Sequence, residues 1–312
     1  MDNRNDLLVH ISELYYQQNL NQNEIAKILG VSRPTVSRLL EEARDTGIVE
    51  IIVHNPIRKN PDLSAKLRNT FHLREAIVIS GNYNHDTALS QCAEVAASFV
   101  STILDNNMSL GLSWGRAIYE TCNALKPKDY YNVNVVQMAG CLGSGNPYID
   151  GLELALRVAK KFNGTYSNII APVYVDNEIV RDYLIESPQI KSTLKKAYNV
   201  DIALTGIGSL DDAQGSLNRA GCYTSEEIQV ALKAGVTGHI LARFMDINGN
   251  EIHLKDHYPI SAPLKSMHNA EWAIGICVSE EKAKAVLSTI NGKYINCLVA
   301  DESLAKKLLE IA

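Results

Sequence analysis

No apolar run in the sequence reaches about 20 residues, the length a helix needs to cross a bilayer. The first ten residues, MDNRNDLLVH, also lack the basic-then-apolar order of a secretion signal. The expectation is a cytoplasmic protein with no membrane partner. Cysteine is sparse and unpaired in pattern: Cys92, Cys122, Cys141, Cys222, Cys277 and Cys297 show no CxxC spacing, and each sits beside apolar neighbours. That excludes a disulfide framework or a thiolate zinc site as the reading and predicts reduced, mostly buried thiols with no metal and no cofactor. Basic charge is not in excess either. The net charge is −5, and residues 1–56 carry five basic side chains against eight acidic ones, so this segment is −3 and the remainder −2. Binding of nucleic acid through bulk charge is thereby excluded; any DNA contact needs a local basic face presented in more than one copy.

What is present is enough chain for two domains: 312 residues, 46% hydrophobic and 21% charged. Leu7, Leu8, Ile11, Leu14 and Tyr15 form a one-sided helical stripe. Asn21 with Glu24 three residues on reads as an N-cap and its capping-box partner, and Ile25, Ala26 and Leu29 point inward from the helix that follows. Gly30 permits a tight turn with Val31 tucked beneath it. Ser32 caps a third helix whose first turn tolerates Pro34, and Val36, Leu39, Leu40 and Ala43 line its inner face. This spacing predicts a helix-turn-helix. The outward residues of the third helix, Arg33, Pro34, Thr35, Ser37, Arg38 and Arg44, suit base edges and phosphates of double-stranded DNA. Glu41 and Glu42 lie further along, where they repel phosphate unless the helix tips away. The β-rich "IVEIIVHNP" then reads as a wing, and Pro56 and Pro61 bracket the polar "PIRKNP", which sets the boundary between a 1–56 DNA-binding domain and a 57–312 domain.

Beyond residue 61 the apolar runs "LREAIVIS", "MSLGLSWG", "NVNVVQMAG", "YSNIIAPVYV", "VDIALTGIG" and "YINCLVAD" alternate with helical stretches at 87–104, 115–124, 151–162, 178–198, 224–233, 280–290 and 301–310. Alternation of this kind predicts a Rossmann-like α/β domain around a largely parallel sheet. Ligands of such sheets bind beyond the carboxyl ends of the strands. Three strand ends carry the chemistry: "LSWGRA" with Ser113 and Gly115 at a helix start, the Gly/Ser loop "MAGCLGSGNP", and "LTGIGS" with Gly206 and Gly208. Gathered on one edge, they predict a pocket for a sugar or sugar phosphate.

The N-terminal "LYYQQNLNQNEIAKILGVSRPTVSRLLEEARDTGIVEI", with "SWGRA", "DIALTGIGS", "ARFMDINGN" and "GKYINCLVADESLAKKLL", resembles the SorC family of bacterial transcriptional regulators over nearly the whole chain. The subgroup it is most similar to controls sorbose or sorbitol utilisation. The resemblance implies a winged helix-turn-helix joined to an effector domain related to phosphosugar isomerases and deaminases. It further implies a homotetramer, a dimer of dimers, that responds to a sugar or sugar phosphate on operator DNA. Carried onto this sequence, the effector contacts it implies are Trp114 and Gly115, the loop Gly140, Cys141, Leu142, Gly143 and Ser144, then Gly206 and Gly208, with Lys282 and Lys293 as cationic groups. Two departures stand out. Gly238-His239-Ile240 replaces a Gly-Asp-Ile pattern, exchanging an acceptor for a group that donates, accepts or carries charge. Ala139 precedes Gly140 where a lysine would condense with an aldehyde, so binding there is expected to be non-covalent. Tyr15 is expected in the core and Tyr16 facing the effector domain.

Three rival readings follow from the residues. An isomerase or deaminase needs a carboxylate base and a ring-opening histidine, whereas "GIGSLDDAQGSLNRA" offers Asp211 and Asp212 and no histidine. No catalytic residue is therefore assigned, and the chain is expected not to be an enzyme. A metal-responsive reading rests on His253, Asp256 and His257 in "HLKDH", which share a face only if helical, and Pro259 argues for a loop. Redox sensing at Cys141 lacks a basic neighbour to lower its pKa.

Overall fold

The computed structural model describes residues 3–49, 57–143, 150–210, 217 and 223–312. The chain divides into two compact units, Met1–Pro56 and Ile57–Ala312.

In the smaller unit, α1 (Asn3–Ser12) runs into a wider turn at Glu13–Gln17, followed by α2 (Gln22–Leu29) and α3 (Arg33–Asp45). The capping box at α2 is complete. Asn21 Oδ1 accepts from the backbone N–H groups of Asn23 and Glu24 at 3.0 and 3.1 Å, and Glu24 Oε2 accepts from Asn21 N–H at 2.8 Å. Gly30 ends α2 in the left-handed conformation, φ 64° and ψ 32°, which costs other residues energy and glycine almost none. Leu8, Ile11, Leu14, Ile25, Ala26, Val36, Leu39, Leu40 and Ala43 form one buried cluster, with Tyr15 and Tyr16 half-buried at its margin and edge-to-face at 4.9 Å. Val31 is not tucked beneath the turn: it is exposed, and Leu29 is only half-buried. The expected wing strand lies mostly outside the described residues.

In the larger unit, β1 (Glu75–Ile79), β2 (Ser109–Leu112), β3 (Asn134–Gln137) and β4 (Thr165–Ser167) join three later strands in one seven-stranded sheet. β5 (Tyr174–Val175) lies outside it, and β6 (Ile202–Gly206) belongs to it. After β7 (Gly238–Ile240), β8 (Arg243–Met245), β9 (Glu251–Ile252) and β10 (Tyr258–Pro259) come β11 (Trp272–Cys277) and β12 (Cys297–Asp301). The sheet order is β1-β12-β11-β6-β2-β3-β4, and every pairing is parallel. β7, β8 and β9 form a separate antiparallel sheet, and β5 pairs with β10.

Both faces of the large sheet are covered, as parallel sheets require. Strand residues alternate between two cores: Cys297 and Val299 face one, Leu298 and Ala300 the other. The first core takes α5 (His85–Ile103), α6 (Arg116–Ala124) and α7 (Gly151–Lys161). The second takes α4 (Pro61–Phe71) together with two later helices. The expected helix at 178–198 is two helices, α8 (Glu178–Glu186) and α9 (Pro188–Ala197), because Pro188 has no N–H to continue α8 and serves instead in the first turn of α9. Then come α10 (Ser225–Lys233), α11 (Ala283–Asn291) and α12 (Glu302–Glu310). His253, Asp256 and His257 lie in a turn between β9 and β10 rather than on a helix face. No helix among the described residues is long and apolar enough to cross a membrane.

Candidate functional site

On the reading helix α3, the Ser32 hydroxyl accepts from Thr35 N–H at 3.3 Å and Pro34 occupies the first turn. Burial of Val36, Leu39, Leu40 and Ala43 turns the opposite face out, and Arg33, Pro34, Thr35, Ser37, Arg38 and Arg44 are all exposed on it. Glu42 is paired rather than left to repel phosphate: Arg4 reaches it from α1 with two guanidinium nitrogens. That hydrogen bond holds the Glu42 carboxyl below its usual range.

In the larger unit, a cavity opens where β2, β6 and β11 end. The sheet order turns in opposite directions on either side of the β2–β6 pair, a crevice where open α/β sheets bind ligands. The chain leaving β2 supplies Ser113, Trp114, Gly115, Arg116 and Ala117; the chain leaving β6 supplies Gly206, Ile207 and Gly208. Gly115 is the N-cap of α6 and, as glycine, has no side chain with which to cap the first N–H groups of that helix. The Ser113 hydroxyl accepts from Gly206 N–H at 3.4 Å and so ties the two strand ends together. Trp114 is 7% exposed and part of the main core, and its Nε1 has no hydrogen-bond partner among the described residues. It is wall rather than an open stacking platform.

His239 enters from β7. Its backbone exchanges two hydrogen bonds with Gly208, at 3.0 and 2.9 Å, and its ring lies directly on that glycine. A Cβ at residue 208 would stand 2.1 Å from His239 Nε2. The β7–β8 turn is made by Leu241 and Ala242, at φ 51° and 60°. Consecutive left-handed residues other than glycine carry strain, which persists where surrounding structure imposes it. Both line the cavity. Arg243 fixes the turn from behind: Nη1 donates to Glu251 at 2.7 Å, Nη2 to Ser261 O at 3.0 Å, and Nε to Ser261 Oγ and Ala262 O.

Of the residues expected from sequence, the structure thus brings Ser113, Trp114, Gly115, Gly206, Gly208, His239 and Lys282 to one cavity. Gly140, Cys141, Leu142, Gly143 and Lys293 are not among its lining residues. Gly140 N–H donates to Ile260 O, while Cys141 gives its N–H to Ala171 and takes one from Val173, all at 2.8 Å. This stretch is sewn to segment 171–173 and is not part of the cavity lining. The Leu142 side chain packs on the main core, and Gly143 N–H donates to the Asp150 carboxylate at 3.2 Å. Ser144, Asp211 and Asp212 lie outside the described residues. Burial pushes the Cys141 thiol up, away from a reactive thiolate. Lys293 sits after α11, at the amino end of β12, whereas the cavity is at the carboxyl ends. Sequence reasoning missed His85, Arg116, the Leu241–Ala242 turn and Cys277, all of which line the cavity.

A DNA-reading helix and an α/β pocket in one chain define an effector-responsive transcriptional regulator. Residues 55–310 match the Sugar-bind family model, a sugar-binding domain, and residues 7–59 match a Crp-like helix-turn-helix domain. The chain is 31% identical to a sorbitol operon regulator of Klebsiella pneumoniae, over 99% of this chain and 100% of that one. It is 28% identical to a deoxyribonucleoside regulator of Bacillus subtilis over 98% of each. The crystal structure of the full-length sorbitol operon regulator SorC from Klebsiella pneumoniae aligns with a TM-score of 0.74 at 30% identity, covering 99% of this chain and 100% of that one. The chain belongs to the SorC family of sugar-responsive transcriptional regulators.

Proposed function

We propose that a sugar or sugar phosphate of a sorbose- or sorbitol-like utilisation pathway binds at the carboxyl ends of β2, β6 and β11 and switches operator affinity. The supporting observation is the cavity itself, where Ser113, the Gly115–Ala117 helix start, Arg116, His239 and Lys282 line one space. Arg33, Ser37 and Arg38 read base edges, with Pro34, Thr35 and Arg44 beside them at the DNA. Self-association, as a tetramer of two dimers, supplies several reading helices and offsets the acidic balance of residues 1–56 by avidity. The effector must bind the two states with different affinity for any switching to follow. The protein acts in the cytoplasm and catalyses nothing, in keeping with relatives named as regulators. A thermal-shift screen of the full chain against sorbitol, sorbose, fructose and their phosphates tests the pocket: a ligand of the folded state raises the melting temperature by mass action. Stabilisation that survives Arg116→Met and Lys282→Met together would place the ligand elsewhere.

A further inference from the structure

This inference rests on the reading of the cavity as the effector site and concerns the ion pair made by one of its basic lining residues. Arg116, the first residue of α6, lines the cavity, and its guanidinium is engaged. Its Nη2 donates to Asp86 Oδ1 at 2.7 Å, and His85 Nδ1 lies 3.4 Å from the same oxygen. Two basic groups of the cavity wall therefore converge on one carboxylate of the chain itself. Asp86 is placed there by the start of α5, where Asn84 Oδ1 accepts from Thr87 N–H at 2.9 Å and fixes the first turn. Among the described residues no other side-chain hydrogen bond holds this carboxylate, which is 77% exposed while Arg116 is 30% exposed. The hydrogen bond from Arg116, with a smaller one from His85, keeps the Asp86 carboxyl below its usual range and so ionised.

We propose that Asp86 is an internal competitor, a carboxylate that holds the Arg116 guanidinium until an oxyanion on the effector displaces it. The guanidinium fork accepts a planar carboxylate or a phosphate ester equally well in geometry. An ion pair this exposed is weak enough to exchange. A neutral polyol has no charge with which to compete for Arg116, so the pair filters ligands by charge rather than by sugar shape. Asp86 sets the concentration at which the filter opens, without touching the sugar.

The test is calorimetric titration of the full chain, wild type, Asp86→Asn, Arg116→Met and the double variant. The probes are sorbitol 6-phosphate, gluconate, inorganic phosphate and sorbitol. Asp86→Asn is expected to tighten the oxyanion probes about three- to fivefold, the range open to an exposed pair, and to leave sorbitol unchanged. In the Arg116→Met background the gain should vanish. A gain that persists there is a general charge effect and overturns the proposal, as does an unchanged or weakened affinity in Asp86→Asn. The phosphate and gluconate arms tell which oxyanion source is preferred. Binding of sorbitol alone would overturn the competitor while sparing the sugar pocket; binding of no probe would overturn both.

Discussion

Replacing Gly208 by alanine tests the geometry of the pocket through a single methyl group. The backbone at Gly208 is not left-handed, so alanine is conformationally allowed and the effect is steric. The new Cβ would stand 2.1 Å from His239 Nε2 and 2.3 Å from Cε1, so the imidazole must leave its place. It cannot slide freely, because its own backbone is bonded twice to Gly208 and the ring meets Phe244 edge-on at 6.1 Å. Forcing extra volume into such a packed site costs about 1–3 kcal/mol, which in a domain of this size lowers the melting temperature by between about 2 and 12 °C. Calorimetric melting of four proteins, wild type, Gly208→Ala, His239→Ala and the double variant, isolates the contact. With the ring removed, the three atoms nearest the methyl are gone, and a coupling of about 1–3 kcal/mol should appear. Effector affinity should fall in Gly208→Ala, since the displaced ring intrudes on the cavity. Equal destabilisation by Gly208→Ala with and without the imidazole would refute the placement of His239.

Arg38→Ala should weaken operator binding by about 1–3 kcal/mol, the range for a base-contacting arginine, in fluorescence anisotropy; loss of effector binding in the same variant would contradict the division of labour. Asn21→Ala, which removes both acceptor bonds of the α2 cap, should cost the smaller unit about 1 kcal/mol, measured by denaturant unfolding. Arg243→Met strands Glu251 and two carbonyl groups behind the pocket turn and should cost about 3 kcal/mol; a loss below about 1 kcal/mol would show the turn to be self-supporting. Burial pushes the Cys122 thiol up to about 12, and raises Cys92 and Cys297 as well. A higher pKa leaves less thiolate at pH 8, so iodoacetamide should spare all three until the protein is denatured, as read by mass spectrometry.

The small unit was legible because its signals are local. Asn21, Glu24, Gly30 and Ser32 act within three or four residues, and a stripe of apolar side chains names its own inner face. Val31 escaped because exposure depends on where neighbouring helices stop. In the larger unit, the ends of β2 and β6 were visible as Gly/Ser turns after apolar runs, and they do meet. β11, whose "WAIGIC" carries no turn signal before it, was missed although it lies near the middle of the sheet. Gly140 follows β3 much as Gly208 follows β6, yet its stretch is bonded to residues 171–173 and 260. Only non-local pairing decides that. Lys293 was legible and misread: a residue after a helix and before a parallel strand sits at the amino edge, opposite Lys282. Arg116 carries no signal of its own beside the helix-opening Gly115, and the partner of Asp86 is thirty residues away in sequence.

The most direct test of the central claim, coupling between pocket and reading helix, is operator titration of the full chain with and without saturating effector. Fluorescence anisotropy on a DNA site selected from a random pool provides the readout. The account predicts at least a tenfold change in operator affinity, or about 1.4 kcal/mol of coupling, and predicts that Arg116→Met abolishes the change while leaving effector-free DNA binding intact. Unchanged operator affinity with an effector shown by calorimetry to be bound would contradict it.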